Sequence, residues 1–279
     1  MTLPSVAGAI PSPSVNGLGA GPFKLHVYGL LYVVAVIAVV AITARRWRRV
    51  GGDGRLAEDV ALWAFPAGIV GARLYHLATS WERVPHEWWG PFAIWRGGLA
   101  IWGAIAGAGL AVALVVRRRG ADLPRFLDAA APALLVGQSI GRVGNWFNQE
   151  LFGAPSALPW AVRIAPADRP PGYERFATYH PTFLYEIVWN LLLAGLLVRL
   201  GGRGRIRPPG LFALYLAGYA LGRVGEELLR IDPSHHLLGM RLNFWLASAL
   251  CLAALAWFAR IQRRSRPAAA VRATPVPET

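Results

Sequence analysis

The sequence predicts an all-α integral membrane protein with seven transmembrane helices and a small extracytoplasmic cap. Hydrophobic residues make up 55% of the 279 residues, whereas charged residues make up only 16%. A soluble domain is nearer a quarter charged. The apolar residues also fall into runs of about 20, which is the length of helix that crosses a bilayer.

Seven runs reach or approach that length, at residues 25–44, 60–81, 98–116, 126–146, 181–200, 211–229 and 242–259. The runs at 25–44 and 98–116 contain no charged residue. Polar residues interrupt the others, and in a membrane span such residues usually mark function. Prolines at positions 124, 181, 208 and 209 indicate helix starts, because a missing N–H does no harm there.

Arginine clusters predict the orientation of these helices. Dense clusters follow the first, third, fifth and seventh runs, at Arg45, Arg46, Arg48, Arg49 and Arg55, at Arg117, Arg118, Arg119 and Arg125, at Arg199, Arg203, Arg205 and Arg207, and at Arg260, Arg263, Arg264, Arg266 and Arg272. The intervening loops carry fewer positive residues. Because positive loops stay in the cytoplasm, the N-terminus is expected outside and the C-terminus inside.

These assignments divide the chain into three segments. Residues 1–24 form an extracytoplasmic N-terminal segment, 25–260 the membrane domain, and 261–279 a basic cytoplasmic tail that is expected to be disordered. Within the membrane domain, the outer head loop 148–180 holds five prolines and several aromatic residues, and it is expected to form the ordered cap. The outer loop 81–95 holds four tryptophans, which favour the lipid interface.

Three arginines lie inside predicted spans: Arg73, Arg142 and Arg223. An arginine at mid-bilayer costs about 2.5–3.5 kcal/mol on an insertion scale, so the three are expected to face a shared polar interior. An alternative for Arg73 is to pair with a carboxylate or to extend towards the interface. The net charge of +14 does not indicate a nucleic-acid partner, since the arginines form short clusters and no continuous basic face.

Arg142 and Arg223 are predicted at the same depth, near the outer ends of spans four and six. Asn145 lies three residues after Arg142, and Glu227 lies four residues after Arg223, so each pair shares a helix face. Two guanidinium groups at headgroup depth match the oxygens of a lipid phosphate. Glu150 and Glu227 are candidates to orient them. The alternative is a set of buried ion pairs that only fastens helices together.

Other candidates carry weaker signals. Glu186 could join the same site or merely complement a helix dipole, and Tyr28 could join it or belong to an interfacial aromatic belt. Cys251, the single cysteine, is expected to be a small buried hydrophobe rather than a nucleophile. The adjacent pair His235 and His236 is a weak metal signal, so no metal and no cofactor are predicted.

Several motifs resemble the prolipoprotein diacylglyceryl transferase family. The strongest is Gly141-Arg-x-Gly-Asn-x-x-Asn-x-Glu150 followed by Gly153. Others, in the family's order, are Val27-Tyr28-Gly29, Gly97-Gly98 through Gly103, His180-Pro-x-x-x-Tyr185-Glu186, and Arg223-x-x-x-Glu227-x-x-Arg230. They cover roughly residues 25–245.

The resemblance implies an enzyme of lipoprotein biosynthesis in the bacterial plasma membrane. Such an enzyme moves a diacylglyceryl group from phosphatidylglycerol to the lipobox cysteine of a prolipoprotein signal peptide. It implies Arg142, Arg223, Tyr28 and Asn145 as catalytic residues. Phosphatidylglycerol would be bound by Arg142, Asn145, Glu150, Gly153, Arg223 and Glu227.

One departure concerns Trp102, which stands where many family members carry a histidine that has been proposed as a base. Tyr28, a water molecule, or thiolate formation favoured by nearby arginines remain open as alternatives. Two other classes compete with the transferase. A transporter would be favoured by inverted repeats, which we do not see, and a membrane scaffold would not need polar groups gathered at one depth.

Overall fold

A computed structural model describes residues 8–20 and 23–263. Within them lie seven long helices: α1 (Val27–Arg49), α2 (Arg55–Thr79), α3 (Ile101–Arg118), α4 (Leu123–Asn148), α5 (Thr182–Gly202), α6 (Gly210–Glu227) and α7 (Leu242–Arg263). Each coincides with one of the seven predicted runs, so an all-helical membrane protein is confirmed. Most of the predicted tail, residues 264–279, and residues 1–7 of the N-terminal segment lie outside the described part.

Short strands connect or precede the helices. They are β1 (Ile10–Pro11), β2 (Gly17–Ala20), β3 (Phe23–His26), β4 (Val162–Arg163), β5 (Thr178–Tyr179), β6 (His236–Leu237) and β7 (Met240–Arg241). They pair as β1-β4-β5, β2-β3 and β6-β7. Single 3₁₀ turns occur at Trp81–Arg83, Gly90–Phe92, Ile94–Arg96 and Pro166–Asp168.

Five of the seven helices are long and apolar enough to cross a membrane: α1, α2, α3, α5 and α7. Helix α4 carries Arg125, Asp128 and Arg142, and α6 carries Arg223, Glu226 and Glu227. These charges lower the hydropathy of α4 and α6. Eleven residues of α4 are buried, including Asn145 and Asp128, and α4 packs against α1, α5 and α6. Eight residues of the shorter α6 are buried as well, so the two polar helices are the most buried of the seven.

Contacts between helix ends show that the helices alternate in direction. At one end of the bundle, Arg46 of α1 donates to the Ala129 carbonyl of α4 at 3.0 Å, and Asp128 accepts from the Phe212 N–H of α6 at 2.8 Å. The Arg207 N–H, just before α6, donates to Gln262 of α7 at 3.1 Å. The arginine-rich connections therefore gather at a single end of the bundle, as the sequence predicts.

Prolines lie at the predicted helix starts, and glycines allow one close helix crossing. Asp122 caps α4 by accepting from the Arg125 N–H, with Pro124 in the first turn, and Pro181 and Pro209 precede α5 and α6. Helices α2 and α3 touch backbone to backbone. A Cβ on Gly71 would lie 2.3 Å from the Gly103 carbonyl oxygen, so only small residues fit this crossing.

The head loop between α4 and α5 has its own apolar core of Phe152, Val162, Ile164, Tyr179 and Phe183. The strands β4 and β5 pair antiparallel within it, and β1 adds a third strand from the N-terminal segment. The Tyr179 hydroxyl donates to the Tyr173 carbonyl at 2.7 Å, and burial raises the pKa of Tyr179. This layer covers the ends of α4 and α5 that carry the signature motif.

Arg73 fastens the tryptophan-rich loop to α2. It is 7% exposed and donates four hydrogen bonds, to the backbone carbonyls of Gly90, Pro91, Gly97 and Gly98, at 2.7–3.1 Å. The expectations that Arg73 pairs with a carboxylate, or shares a polar interior with Arg142 and Arg223, are therefore wrong. Buried carbonyls need donors, and a guanidinium supplies up to five.

We expect Arg73→Met to destabilise the protein by about 1–3 kcal/mol, because one buried and three partly buried hydrogen bonds to backbone carbonyls lose their charged donor. Thermal unfolding in detergent would show a lower Tm, and limited proteolysis would cut the loop around residues 84–96. Arg118→Met, at the exposed end of α3, is the matched control and should keep the Tm of the unaltered protein. Equal Tm values for the two variants would contradict the anchoring role.

Candidate active site

The end of α4 turns back on itself and places the signature side chains together. Gln149 adopts a left-handed conformation (φ 50°), and the Glu150 N–H then donates to the Asn145 carbonyl at 3.1 Å. The Glu150 carboxylate consequently accepts from the side-chain amide of Asn145 at 2.8 Å and from that of Asn148 at 3.3 Å. Glu150 thus fixes the amide of Asn145 rather than touching Arg142.

Arg142 is held between two helices. Its Nε lies 2.6 Å from Glu186 Oε2 on α5, and its Nη1 donates to Asn145 Oδ1 at 3.2 Å. The Glu186 side chain is 6% exposed and that of Arg142 is 21% exposed. Glu186 is therefore a direct partner of Arg142 across the helix interface, and the helix-dipole alternative for it is wrong.

Arg223 is held from its own helix. Its Nη1 lies 2.7 Å from Glu226 Oε2, and its Nη2 contacts Glu227 Oε1. The other oxygen of Glu227, whose side chain is fully buried, accepts from Arg241 Nε at 2.5 Å. Glu227 therefore orients Arg223, as predicted, and also ties α6 to the start of α7.

Arg241 extends the ion-pair network of Arg223 and Glu227 to Asp232. It contacts Asp232 Oδ2 at 2.9 Å and donates to the Asp232 carbonyl at 2.6 Å, while Arg230 reaches Asp232 Oδ1 at 2.6 Å. Burial alone would raise the pKa of Asp232, but the hydrogen bonds and charges of Arg230 and Arg241 outweigh it and hold that pKa below its usual value. The 228–241 segment is thus fixed around α6.

The two arginines belong to one cluster. The Glu186 carboxyl pairs with Arg142, the Glu226 carboxyl pairs with Arg223, and the two carboxyl groups are near enough to interact with each other. Arg142 also interacts with Glu226 through its charge. Both guanidinium groups remain about one-fifth exposed, 21% for Arg142 and 19% for Arg223. The predicted convergence of Arg142 and Arg223 is therefore present, with carboxyl groups between them.

Tyr28 and Gly153 support the same region by packing. The Tyr28 ring lies on Gly144 of α4, and its hydroxyl faces that of Tyr32 at 3.3 Å. Gly153 is bridged to Arg230, and its N–H donates to the His180 carbonyl at 2.9 Å. A Cβ on Gly153 would lie 2.9 Å from the Leu229 carbonyl oxygen, so this close approach requires glycine.

His180 lies in the head loop, immediately before α5. Its Nδ1 is 3.1 Å from the Tyr185 hydroxyl, which also accepts from Trp160 Nε1 at 3.1 Å. Burial lowers the pKa of the His180 imidazole, because a charged ring would lose contact with water. Trp102 is 53% exposed in the first turn of α3. Among the described residues no group of three or more His, Cys, Asp or Glu side chains is suited to hold a metal ion.

The roles of three residues of this cluster, Glu186, Glu226 and Arg241, could not be predicted firmly from the sequence. The sequence leaves Glu186 equally compatible with a helix-dipole role, and it does not predict a role for Glu226 or Arg241. Glu226 follows Arg223 by three residues, a spacing that places both on one face and was available as a signal. Arg241 gave no such signal, because its partner Glu227 is 14 positions away.

The profile of one protein family matches most of the sequence. It is that of prolipoprotein diacylglyceryl transferase, and the match runs over residues 17–260. The chain belongs to this family. The resemblance and the expectation of a transferase, both predicted from the motifs, are thereby confirmed.

Individual relatives agree with the family assignment. The phosphatidylglycerol–prolipoprotein diacylglyceryl transferase of Frankia alni is 46% identical over 94% of this chain and 70% of its own length. The second such enzyme of Streptomyces coelicolor is 46% identical over 88% of this chain and 79% of its own length. That of Cutibacterium acnes is 42% identical over 92% of this chain and 88% of its own length.

The contact between Tyr28 and α4 gives a matched test. A Cβ on Gly144 would lie 2.1 Å from the Tyr28 ring, whereas a Cβ on Gly141 of the same helix meets nothing within 4 Å. We expect Gly144→Ala to displace Tyr28, to cost about 1–3 kcal/mol of stability and to lower transfer activity. Gly141→Ala should behave like the unaltered protein. Thermal unfolding and transfer rates compare the two, and a harmless Gly144→Ala would contradict this packing.

Proposed function

We propose that the chain transfers the diacylglyceryl group of phosphatidylglycerol to the thiol of the lipobox cysteine of prolipoproteins. The reaction forms a thioether and releases glycerol phosphate. Membership of the family supports this activity. The observation that carries the residue assignment is the convergence of Arg142 and Arg223, each held in place by carboxylates and each still partly exposed.

Arg142 and Arg223 bind the phosphate of the lipid. A guanidinium fork matches two phosphate oxygens, and a fork whose orientation is fixed loses less entropy when it binds. Glu186 and Asn145 fix the fork of Arg142, and Glu227 fixes that of Arg223. Glu150 contributes by holding Asn145, and Gly153 by allowing the chain to pass close to Leu229.

In the reaction, the cysteine sulfur attacks the diacylglyceryl carbon that bears the phosphate ester. The bond between that carbon and the ester oxygen breaks, and the electron pair leaves with glycerol phosphate. The thiol proton passes to a base or to water. Negative charge therefore grows on the departing phosphate, where the two arginines stabilise the transition state more than the ground state.

The proton acceptor is not assigned to a histidine at position 102, because that residue is Trp102. Two other side chains could accept the proton. The hydroxyl of Tyr28 lies beside that of Tyr32, and the imidazole of His180 lies in the head loop beside the hydroxyl of Tyr185. A free thiol is a few per cent ionised at neutral pH, and nearby arginines favour the thiolate. The arginine pair therefore supports both the nucleophile and the leaving group.

The membrane arrangement is part of the proposal. All seven helices span the bacterial plasma membrane, the N-terminus and the head loop face outward, and the arginine-rich end faces the cytoplasm. The gathering of the arginine-rich connections at one end of the bundle supports this orientation. Lipid then reaches Arg142 and Arg223 sideways from the outer leaflet, and the precursor cysteine arrives from the same side.

We expect Arg142→Ala and Arg142→Lys each to lower transfer by about a hundredfold or more. Alanine removes the phosphate contact, and a point ammonium cannot replace the fork. Transfer of labelled diacylglyceryl groups to a lipobox peptide measures the effect. Arg125→Lys is the matched control, since Arg125 lies on the same helix in an exposed ion pair with Asp122. Full activity of either Arg142 variant would exclude the assignment.

The orientation has its own test. Single cysteines are introduced at Asp168 in the head loop or at Arg203 after α5, in a Cys251→Ala background. On intact cells, an impermeant thiol reagent should label position 168 and leave position 203 unlabelled until the membrane is opened. The reverse pattern would invert the proposed topology.

A further inference from the structure

Two carboxyl groups, those of Glu186 and Glu226, lie between Arg142 and Arg223. Glu186 gives Oε2 to Arg142, and Glu226 gives Oε2 to Arg223. The remaining oxygen of each, Oε1, is buried and has no hydrogen-bond donor among the described residues. The two carboxyl groups are near enough for a hydrogen bond between their side chains once one of them is protonated.

Two ionised carboxylates in that position would repel one another and leave two buried acceptors unsatisfied, which is costly on both counts. A single proton removes both costs. A protonated carboxyl becomes a donor, so one Oε1 can donate to the other, and the pair then carries one negative charge instead of two. Both Oε2 atoms remain available to their arginines.

We propose that Glu186 and Glu226 hold one proton between them, and that binding of the phospholipid phosphate is linked to this proton. The inference rests on the proposed function, since it concerns the same arginines. When both carboxyls are ionised, they cancel the charges of Arg142 and Arg223. One shared proton restores one unit of positive charge where an anionic phosphate binds, while Glu227 and Arg241 neutralise each other beside it.

The groups that face the pair come from three helices. Helix α4 contributes Arg142, α5 contributes Glu186 itself, and α6 contributes Tyr219, Arg223 and Glu226. Glu226 is a positioning residue in this account, because it acts on the phosphate through Arg223 and through the charge of the pair.

The shared proton makes the affinity for phosphatidylglycerol depend on pH. The protonated pair favours the anion, so affinity for phosphatidylglycerol is highest at low pH and falls as pH rises through the titration of the pair. Linkage to one proton limits the slope to about tenfold in Kd per pH unit. Glu226→Gln fixes the neutral form, since its amide can donate to Glu186 and its carbonyl can accept from Arg223.

The test is equilibrium binding of phosphatidylglycerol to the purified full chain in nanodiscs, from about pH 6 to pH 9. For the unaltered protein, Kd should rise with pH, whereas for Glu226→Gln it should stay nearly constant. Asp59→Asn, which alters an exposed ion pair with Arg119 at the opposite end of the bundle, should keep the pH dependence of the unaltered protein. Infrared difference spectra should contain a protonated-carboxyl band that Glu226→Gln removes.

A pH-independent Kd in the unaltered protein, or an unchanged pH dependence in Glu226→Gln, would overturn the inference. Should Glu226→Gln fail to fold, the unaltered protein's binding profile and infrared band still decide. Thioether formation on a lipobox peptide is measured in parallel. Transfer with pH-independent binding would leave the proposed function standing and remove only the shared proton, whereas no transfer by the unaltered protein would remove the proposed function itself.

Discussion

The ion pair between Arg142 and Glu186 is the contact on which the site depends. An unpaired arginine within a membrane span is costly, and a partner on another helix removes most of that cost only when the two helices hold a fixed register. Because Arg142 is on α4 and Glu186 is on α5, this pair ties the two helices together at the site. The head loop that joins them packs Phe152 and Phe183 over the same junction. The fold and the site therefore share one electrostatic requirement.

The positions of the side chains around that pair depend on two glycines and on one residue with a left-handed backbone conformation. Gly144 lets the Tyr28 ring rest on α4, and Gly153 lets the head loop pass against Leu229. The left-handed Gln149 turns Glu150 back onto Asn145. The signature motif therefore combines two packing requirements, at Gly144 and Gly153, with a network of polar side chains. Within the motif, Arg142, Asn145, Asn148 and Glu150 supply the charges and the side-chain hydrogen bonds that join them.

Much of the fold could be predicted from the sequence because its signals are local. Apolar runs, prolines at helix starts and arginine clusters each act within one segment, and all seven long helices match them. The site was predicted where spacing along one helix brings groups together, as for Arg142 with Asn145 and Arg223 with Glu227. The partners of Arg73 could not be predicted, because they are backbone carbonyls, which every residue has and which no sequence pattern identifies. Arg241 escaped because its pairing with Glu227 depends on tertiary structure.

The absence of a histidine at position 102 becomes intelligible in this electrostatic setting. A base accelerates only the loss of the thiol proton, typically by about 10²–10⁴-fold, whereas fixed cations act on the charge that develops in the transition state. Arg142 and Arg223 are fixed before substrate arrives, held by Glu186, Asn145 and Glu227. The carboxylates that hold the two guanidinium groups in place also reduce the positive potential around them. A rigid site and a strongly positive site are therefore competing requirements. A carboxyl pair with one proton meets both demands, because it keeps its hydrogen bonds to the arginines while leaving them a net charge for the phosphate.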